Sequence, residues 1–462
     1  MERKAVAELF LLILLVVLIL ALLSGFPVAF AIGGASILVA SVAACFGAFD
    51  MLMLGALPGR IFSIMANETL LAVPLFVFMG AILERSRIAE NLLTTMGQLF
   101  GRVPGGLGVA VIIVGALLAA STGVVGATVV AMGLISLPAM RRAGYDEPLA
   151  SGLICAAGST AQIIPPSTVL ILLGIMLQDA NTQAMLSQGG FNSTQIGVTD
   201  LFTAALVPGL LLVFFYLVVM GLRAVFDSDA CPPLTMSDEE RRTLPKRVLC
   251  TMLPPLALIV LVLGSILSGI ATATESAALG GMGACILAVL GRQFSLRVLK
   301  DASRSALSMS LMIYAILIGA TILSLVFRAL GGEDVIAELL ASVPGGVTGA
   351  ILFVLLVMFV LGFILDTFEI IFIVVPIFAP PLIMMGADPL WLGVASAIVL
   401  QTSYLTPPFG YAIFFLKGAV TDLKLTTVYR GVIPFVILQL LAVVAIWVWP
   451  DLVLWLPGLL AN

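Results

Sequence analysis

Histidine is absent from the 462 residues of this chain, and charged residues make up only 10% of them. Soluble domains carry about 25% charged residues, so this composition excludes an ordinary soluble protein. The sequence also lacks a nucleophile–base pair and a nucleotide-binding loop beside charged residues, which are the features that would indicate an enzyme. We expect neither catalytic residues nor a nucleic-acid partner.

Cysteine is scarce, and its spacing excludes a stabilising framework. The five cysteines form no C-x-x-C pair, and four of them lie in or beside apolar runs. We interpret them as free thiols on helix surfaces, without disulfides or a metal site of cysteine and histidine. No cofactor is expected, apart from coupling ions.

Apolar sequence is abundant. The chain is 61% hydrophobic, and its apolar residues form many runs of about 20 residues, the length that spans a bilayer. This pattern predicts an all-α polytopic protein embedded in a lipid bilayer. The first run, Leu9 to Leu23, has no small-x-small cleavage site and is followed at once by a second run, so we interpret it as a retained transmembrane helix.

Two stretches repeat one pattern about 240 residues apart. Val103 to Gly174 and Val343 to Gly418 both open on V-P-G-G, turn at G-x-D and end in an apolar helix that contains a Pro-Pro pair. Each predicts a re-entrant helical hairpin followed by a discontinuous helix. The chain then divides into segments 1–102, 103–178, 179–342, 343–418 and 419–462.

Paired breaks of this kind are typical of the binding site of a secondary transporter. Interrupted backbone survives inside a bilayer only where protein buries it or where it lines a polar cavity. Pro-Pro removes two donors and disfavours a helical conformation before it. The freed carbonyls need partners, and sodium ions and a substrate are natural ones. The alternative is that each Pro-Pro pair merely kinks a helix.

Loop charges predict the orientation of the chain. Residues 226–247 and 292–304 are basic and are therefore expected in the cytoplasm, whereas residues 178–200 contain no lysine or arginine and are expected outside. Hairpin one then enters from the cytoplasm and hairpin two from the outside, so the two repeats are inverted. Counting the predicted membrane spans from these loops towards each end of the chain places both termini outside.

The hairpin tips and helix breaks supply the candidate binding residues, because hydroxyl and carbonyl oxygens suit a small hard cation. Sodium is the leading candidate, ahead of a proton. The first site comprises Ser121, Thr122, Gly123, Gly126, Gly158, Ser159, Thr160, Gln162, Pro165 and Pro166. The second site comprises Gly362, Asp366, Thr367, Gln401, Thr402, Ser403, Thr406, Pro407 and Pro408. Possible sodium ligands are Ser121, Thr160, Asp366, Thr367, Thr402 and Thr406.

Two acidic residues have alternative structural roles. A carboxylate inside the membrane costs about 2.5–3.5 kcal/mol on insertion scales and indicates function, so Asp366 is the most informative single residue. Its alternative role is to cap the second arm of the hairpin, with Glu369 as a capping partner. Glu275, taken as a second buried acid, is more easily explained as a helix cap than as an ion ligand.

At these residues the sequence resembles the large membrane subunit of tripartite ATP-independent periplasmic (TRAP) transporters, over nearly the whole chain. The resemblance is carried by the first hairpin tip, the turn from Pro138 to Asp146 and the I-I-P-P-S break from Ile163 to Ser167. It also includes the A-T-x-T-E-S-A run from Ala271 to Ala277, the Asp366-Thr367 tip and the L-T-P-P-x-G break.

The resemblance implies a multi-pass protein of the bacterial inner membrane that imports a small organic acid under a sodium gradient. Segments 103–178 and 343–418 would form the moving domain of an elevator mechanism. Segments 1–102 and 179–342 would supply scaffold helices, and 419–462 the last transmembrane helix. It also implies two partners on separate chains, a small four-helix membrane subunit and a periplasmic substrate-binding protein.

Aromatic residues beside the second break depart from the family's usual pattern. Tyr404, Phe409 and Tyr411 argue against a simple C4-dicarboxylate as substrate and against a second sodium site identical to that of other members. The alternative function is a stand-alone sodium- or proton-coupled anion symporter that needs no binding protein. A channel is disfavoured, because a continuous pore does not need paired helix breaks.

Overall fold

The computed structural model describes residues 2–189, 196–234 and 238–460, and their side chains except those of residues 2–5, 121–122 and 238–241. Within these ranges the protein is helical and has no strand. Nine of the described helices are long and apolar enough to cross a membrane, or up to 11 if each of two bent pairs counts as one span. The prediction of an all-α polytopic protein is confirmed.

The chain begins with four helices that precede the first repeat. Their bounds are α1 Glu2–Leu23, α2 Val28–Cys45, α3 Leu57–Met65 and α4 Ala72–Arg85. Asp50 starts a short 3-10 turn before α3 because its side chain accepts a hydrogen bond from Leu52 N.

The first repeat contains a hairpin and a broken helix, flanked by an arm and a long helix. Their bounds are α5 Ile88–Phe100, α6 Gly106–Thr122, α7 Val125–Arg142, α8 Glu147–Ser159, α9 Thr168–Ser187 and α10 Val198–Phe226. A 3-10 turn, Thr160–Gln162, follows α8 directly and leads into the break.

Four helices connect the repeats. They are α11 Asp238–Arg247, α12 Leu253–Leu267, α13 Ala273–Leu290 and α14 Leu296–Ala329. Thr272 and Glu275 cap α13 reciprocally: Glu275 N donates to Thr272 Oγ1 at 3.2 Å, and Thr272 N donates to Glu275 Oε2 at 2.8 Å. Glu275 is exposed, so its prediction as a buried acid is wrong and its explanation as a cap is confirmed.

The second repeat has the same order of elements. Its helices are α15 Gly332–Ser342, α16 Gly346–Leu361, α17 Thr367–Met384, α18 Pro389–Leu405, α19 Tyr411–Ala419 and α20 Leu425–Val448, followed by α21 Asp451–Leu460. The arm α15 meets α16 at 114°.

Equivalent residues shape both repeats locally. Gly105 and Gly345 precede the two hairpins with φ of 77° and 98°, a left-handed conformation that glycine adopts without a steric penalty. Asp146 and Asp388 cap the two broken helices, because their side chains accept hydrogen bonds from Leu149 N and Trp391 N. The V-P-G-G and G-x-D motifs are therefore the start signals of the two hairpins and the two broken helices.

Three connecting segments differ from the sequence predictions. The sequence predicts a polar connection at residues 84–102 and an acidic segment without lysine or arginine at residues 331–346, and these contain the arm helices α5 and α15. The basic segment 292–304 and the apolar span after it form one continuous helix, α14, of 34 residues. The arm helices α5 and α15 are too polar or too short for the apolar-run criterion, and the first turns of α14 are too polar for it.

The two repeats pack into each other reciprocally. Helix α7 of the first hairpin packs on α19 of the second broken helix, and α17 of the second hairpin packs on α9 of the first. Likewise α20 packs on α8, and α10 packs on α18. Reciprocal contacts of this kind define a two-fold relation, so the repeats are related by a pseudo-two-fold axis.

Contacts between distant loops agree with the predicted topology. Arg85 Nη2 donates to Ser305 Oγ at 2.8 Å, which joins the end of the basic segment 292–304 to residues 84–102, whose arginines also predict a cytoplasmic location. Thr274 Oγ1 donates to Glu68 O at 2.9 Å, which joins two ends that we predict outside. Which of these faces is cytoplasmic stays a prediction from the loop charges.

Candidate binding site between the repeats

The first hairpin tip closes on its own repeat's helix break. The break occupies residues 163–167, and α9 starts after it with Ser167 as its N-cap. Thr168 Oγ1 donates to Gly123 O at 2.6 Å, which fixes the tip to the start of α9. Gly123 has φ of 62°, and a Cβ there would lie 3.0 Å from Thr168 N, so only glycine fits without strain. The side chains of Ser121 and Thr122 lie outside the part of the chain that the structure describes.

The second hairpin tip closes on the second break. Gly362 packs directly on Ser403, since a Cβ on Gly362 would lie 2.1 Å from Ser403 Oγ. Asp366 is the N-cap of α17 in a capping box with Glu369, whose Oε2 accepts from Asp366 N at 3.1 Å. Tyr404 OH donates to Asp366 Oδ1 and accepts a hydrogen bond from Thr367 N at 3.0 Å.

Side-chain hydrogen bonds also join the two repeats. Gln162 Nε2 of the first break donates to Thr367 Oγ1 of the second hairpin tip at 2.9 Å. Gln401 Nε2 of the second broken helix donates to Ser159 Oγ of the first at 3.5 Å. All four side chains are buried. The two predicted sites are therefore one continuous polar region between the repeats.

Two residues of this region were missed by the sequence analysis. Gln439 of α20 donates through Nε2 to Ser159 Oγ at 3.3 Å and to Tyr216 OH of α10 at 2.7 Å. Both side chains are fully buried. A glutamine or a tyrosine within a long apolar run is a signal for such a role, but only the packing of α10 and α20 against the broken helices identifies it.

Three amide oxygens in this region are buried without a hydrogen-bond partner among the described residues. They belong to Gln162, Gln401 and Gln439. An unsatisfied buried acceptor costs about 1–3 kcal/mol, and a carbonyl oxygen is a hard ligand that suits sodium. The described residues include no group of three acidic, histidine or cysteine side chains that could hold a metal ion. Any cation here must therefore be bound largely by neutral oxygens.

The remaining predicted residues divide into packing positions and hydroxyls. Gly126 lies against the ring of Phe415, and Gly158 against Val129, so both allow close approach of helices. The hydroxyls of three predicted ligands donate to carbonyls of their own chain segments: Thr160 to Ala157, Thr402 to Ile398 and Thr406 to Thr402. Each hydroxyl oxygen retains lone-pair capacity for a cation.

The two breaks differ in exposure. Pro165 and Pro166 are buried, whereas Pro407 is half-buried and Pro408 is exposed. Tyr429 OH donates to Pro408 O at 2.7 Å and holds the outer face of the second break. The first break is therefore enclosed by protein, and the second lies at the edge of the polar region.

Four helices begin at this region, and their N-termini supply its positive charge. These helices are α7, α9, α17 and α19, which start after the two tips and the two breaks. The free N–H groups and the dipole of a helix N-terminus favour an anion. The region can therefore hold a carboxylate on N–H groups beside a cation on carbonyl and hydroxyl oxygens.

A family model described as tripartite ATP-independent periplasmic transporter, DctM component, matches residues 15–452. The C4-dicarboxylate TRAP transporter large permease protein DctM of Pseudomonas aeruginosa is 28% identical over 401 residues, with 86% of this chain and 88% of the relative covered. The ectoine/5-hydroxyectoine TRAP transporter large permease protein UehC of Ruegeria pomeroyi is 29% identical, with coverage of 85% and 86%. The sialic acid TRAP transporter large permease protein SiaM of Vibrio cholerae is 26% identical, with coverage of 85% and 87%.

Among solved structures, the fold is similar to that of the YdaH transporter of Alcanivorax borkumensis. The TM-score is 0.61 at 16% identity, and the likeness covers 86% of this chain and 87% of the other. Together with the apolar helices, the relatives identify a multi-pass protein of the inner membrane and a transporter permease rather than an enzyme. The chain belongs to the DctM family and is the large membrane subunit of a tripartite ATP-independent periplasmic transporter.

Proposed function

We propose that this protein imports a small organic acid, delivered by a periplasmic binding protein and driven by a sodium gradient. The observation that carries the proposal is that both helix breaks converge on one hairpin tip. Gln162, directly before the first break, and Tyr404, in the last turn of α18 before the second break, both contact Thr367. Secondary transporters with inverted repeats bind substrate and coupling ions at the repeat interface, where broken helices meet.

Sodium binding is supported by the acceptors that surround this tip. The unpartnered amide oxygens of Gln162 and Gln401 lie within the region, beside the predicted hydroxyl ligands Thr160, Thr367 and Thr402. Asp366 adds a half-buried carboxylate at the same tip. A sodium ion bound here would satisfy acceptors that the protein leaves free, and would offset the charge of the carboxylate.

Binding of an organic acid is supported by the four helix N-termini. None of the residues described above for this region is lysine or arginine, so a substrate carboxylate would be held by backbone N–H groups, hydroxyls and bound sodium. This arrangement makes the affinity for the anion depend on the cation, which is the requirement for symport.

Movement is proposed as an elevator. The hairpins and broken helices pack reciprocally into one body, which would move against a scaffold of helices from segments 1–102 and 179–342. A displacement of this body would carry the site across the bilayer while its internal contacts stay intact. The family's tripartite composition supports two partners on separate chains, a small four-helix membrane subunit and the periplasmic binding protein.

Uptake into proteoliposomes tests the proposal. Both membrane subunits are reconstituted with an inward sodium or potassium gradient of equal strength, and the ligand-loaded binding protein is added or withheld. Uptake that needs both sodium and the binding protein supports the proposal. Sodium-driven uptake of free ligand without the binding protein would instead identify a stand-alone symporter.

A further inference from the structure

A cavity of about 530 Å³ lies between the repeats and the helices outside them. Its walls come from α9 and α17 on one side and from α3 and α14 on the other. It lies at the C-terminal end of α9, where Leu186 and Ser187 line it, on the face of the protein that we predict to be periplasmic. None of the candidate binding residues whose side chains the structure describes lines it.

The cavity is separated from the site between the repeats by about two turns of α9 and α17. Its inner end includes Ile175 of α9 and Pro376 of α17. These residues follow the helix starts Thr168 and Thr367 by 7 and 9 positions, which is roughly 10–14 Å at the rise of an α-helix. A ligand in the cavity would therefore be about two helical turns from the hairpin tip, outside the site itself.

One of the two arginines that line this cavity has no hydrogen-bond or ion-pair partner among the described residues. Arg328 Nε forms an ion pair with Glu333 Oε1 at 3.0 Å, and its Nη2 donates to Gln183 Oε1. Arg60 also lines the cavity, is half-buried, and forms neither a hydrogen bond nor an ion pair with any described residue. The guanidinium groups of Arg60 and Arg328 are close enough for their charges to interact.

The other polar groups of the cavity suit the body of a small polar molecule. Asp179 is the one carboxylate among the described lining residues, and its charge interacts with that of Arg328. Ser63, Asn67 and Thr321 add hydroxyl and amide groups. Arg60 is therefore the cation of the described lining that is left without a partner, and a planar guanidinium pairs best with a carboxylate or phosphate group.

We propose that this cavity is an anion-binding vestibule in which Arg60 holds the carboxylate of the small organic acid before the acid reaches the hairpin tips. The identity of the ligand as an organic acid rests on the proposed function. The phosphate of a lipid headgroup carries the same chemistry and is the alternative source of the anion. Both sources can be separated without measuring transport.

Thiol reactivity inside the cavity provides the test. In the purified full-length protein, Ser63→Cys is treated with an anionic sulfonatoethyl or a cationic trimethylammonioethyl methanethiosulfonate, and peptide mass spectrometry reads the modification at that position alone. Ser63 is exposed and lines the cavity. Ser24→Cys, an exposed position at the end of α1 without charged neighbours in sequence, gives the reference ratio of the two rates.

We expect the unpaired cation to raise the ratio of the anionic to the cationic modification rate at position 63 to about tenfold above the reference ratio. Arg60→Gln abolishes this preference. Sodium acetate, a carboxylate alone, slows modification at least about fivefold compared with sodium chloride of equal ionic strength, and this protection is also lost in Arg60→Gln. Arg297→Gln, at an exposed position at the start of α14, keeps both effects.

Three results overturn the proposal. The first is no preference for the anionic reagent, and the second is a preference that survives Arg60→Gln. The third is absence of protection by acetate, and protection by phosphatidylglycerol nanodiscs relative to phosphatidylcholine would then assign the site to a lipid phosphate. Because these rates do not depend on uptake, failure of the vestibule and failure of the transport proposal are distinguishable.

Discussion

Gln401 Nε2 donates a hydrogen bond to Ser159 Oγ at 3.5 Å across 242 positions of sequence. The same separation relates the Pro-Pro pairs at Pro165 and Pro407, so Ser159 and Gln401 are equivalent positions of the two repeats. Equivalent residues contact each other only where they lie beside the two-fold axis. The pseudo-symmetry axis therefore passes through the polar region in which we place the substrate and the ions.

Gln162→Leu is predicted to reduce sodium-driven uptake at least about tenfold, because it removes both the hydrogen bond to Thr367 and an unpartnered acceptor at a buried site. The half-saturating sodium concentration should rise as well. Gln293→Leu is the matched control, because Gln293 is exposed in the loop before α14. Equal uptake by the two variants would show that Gln162 does not contribute to the binding site.

Asp366 has two roles that substitution separates. Asn caps a helix about as well as Asp does, whereas Ala costs about 0.5–2 kcal/mol. Asp366→Asn is therefore expected to keep the thermal stability of the wild type and to lose the sodium dependence of uptake. Asp366→Ala should lose both. If Asp366→Asn transports with unchanged sodium dependence, the residue is a cap and no more.

Gly362→Ala is predicted to destabilise the second tip, because the new Cβ would lie 2.1 Å from Ser403 Oγ and 2.7 Å from its Cβ. Overpacking of this kind costs about 1–3 kcal/mol. Purified Gly362→Ala should melt at a lower temperature than the wild type. The second substitution Ser403→Gly should recover part of that loss. Gly264→Ala is the control, since a Cβ there has no atom within 4 Å. An unchanged melting temperature of Gly362→Ala would contradict the close packing.

The predicted orientation can be tested with a pair of exposed positions. Ser268 lies in the α12–α13 connection and Thr421 in the α19–α20 connection, and both are exposed. In intact cells, a membrane-impermeant maleimide should label Ser268→Cys, and should label Thr421→Cys only after the membrane is permeabilised. The reverse pattern would invert the topology and place the cavity with Arg60 in the cytoplasm.

The sequence predicted the elements of this fold well, because V-P-G-G, G-x-D and Pro-Pro are local signals whose meaning depends little on packing. Both hairpins and both breaks follow from them, and the capping role of Glu275 follows from its position three residues after Thr272. The arm helices α5 and α15 were missed, since neither is an apolar run of spanning length. The inverted orientation of the repeats in the membrane stays a prediction.

Individual contacts in the site were less accessible from the sequence. Gln439 and Tyr216 lie outside both repeats as predicted and reach Ser159 only through the packing of α20 on α8 and of α10 on α18. Tyr404 departs from the family's usual pattern in sequence, but its hydrogen bonds to Asp366 and Thr367 depend on the position of the second tip. Contacts across a pseudo-symmetry axis require the three-dimensional arrangement, which no local motif supplies.

The central claim is that the tips and breaks form a sodium site, and equilibrium binding of radioactive sodium to the purified full-length protein tests it most directly. We predict saturable binding by the wild type, which Gln162→Leu weakens strongly and Gln293→Leu leaves unchanged. Absence of saturable binding by the folded wild type, or equal binding by Gln162→Leu, would contradict the account.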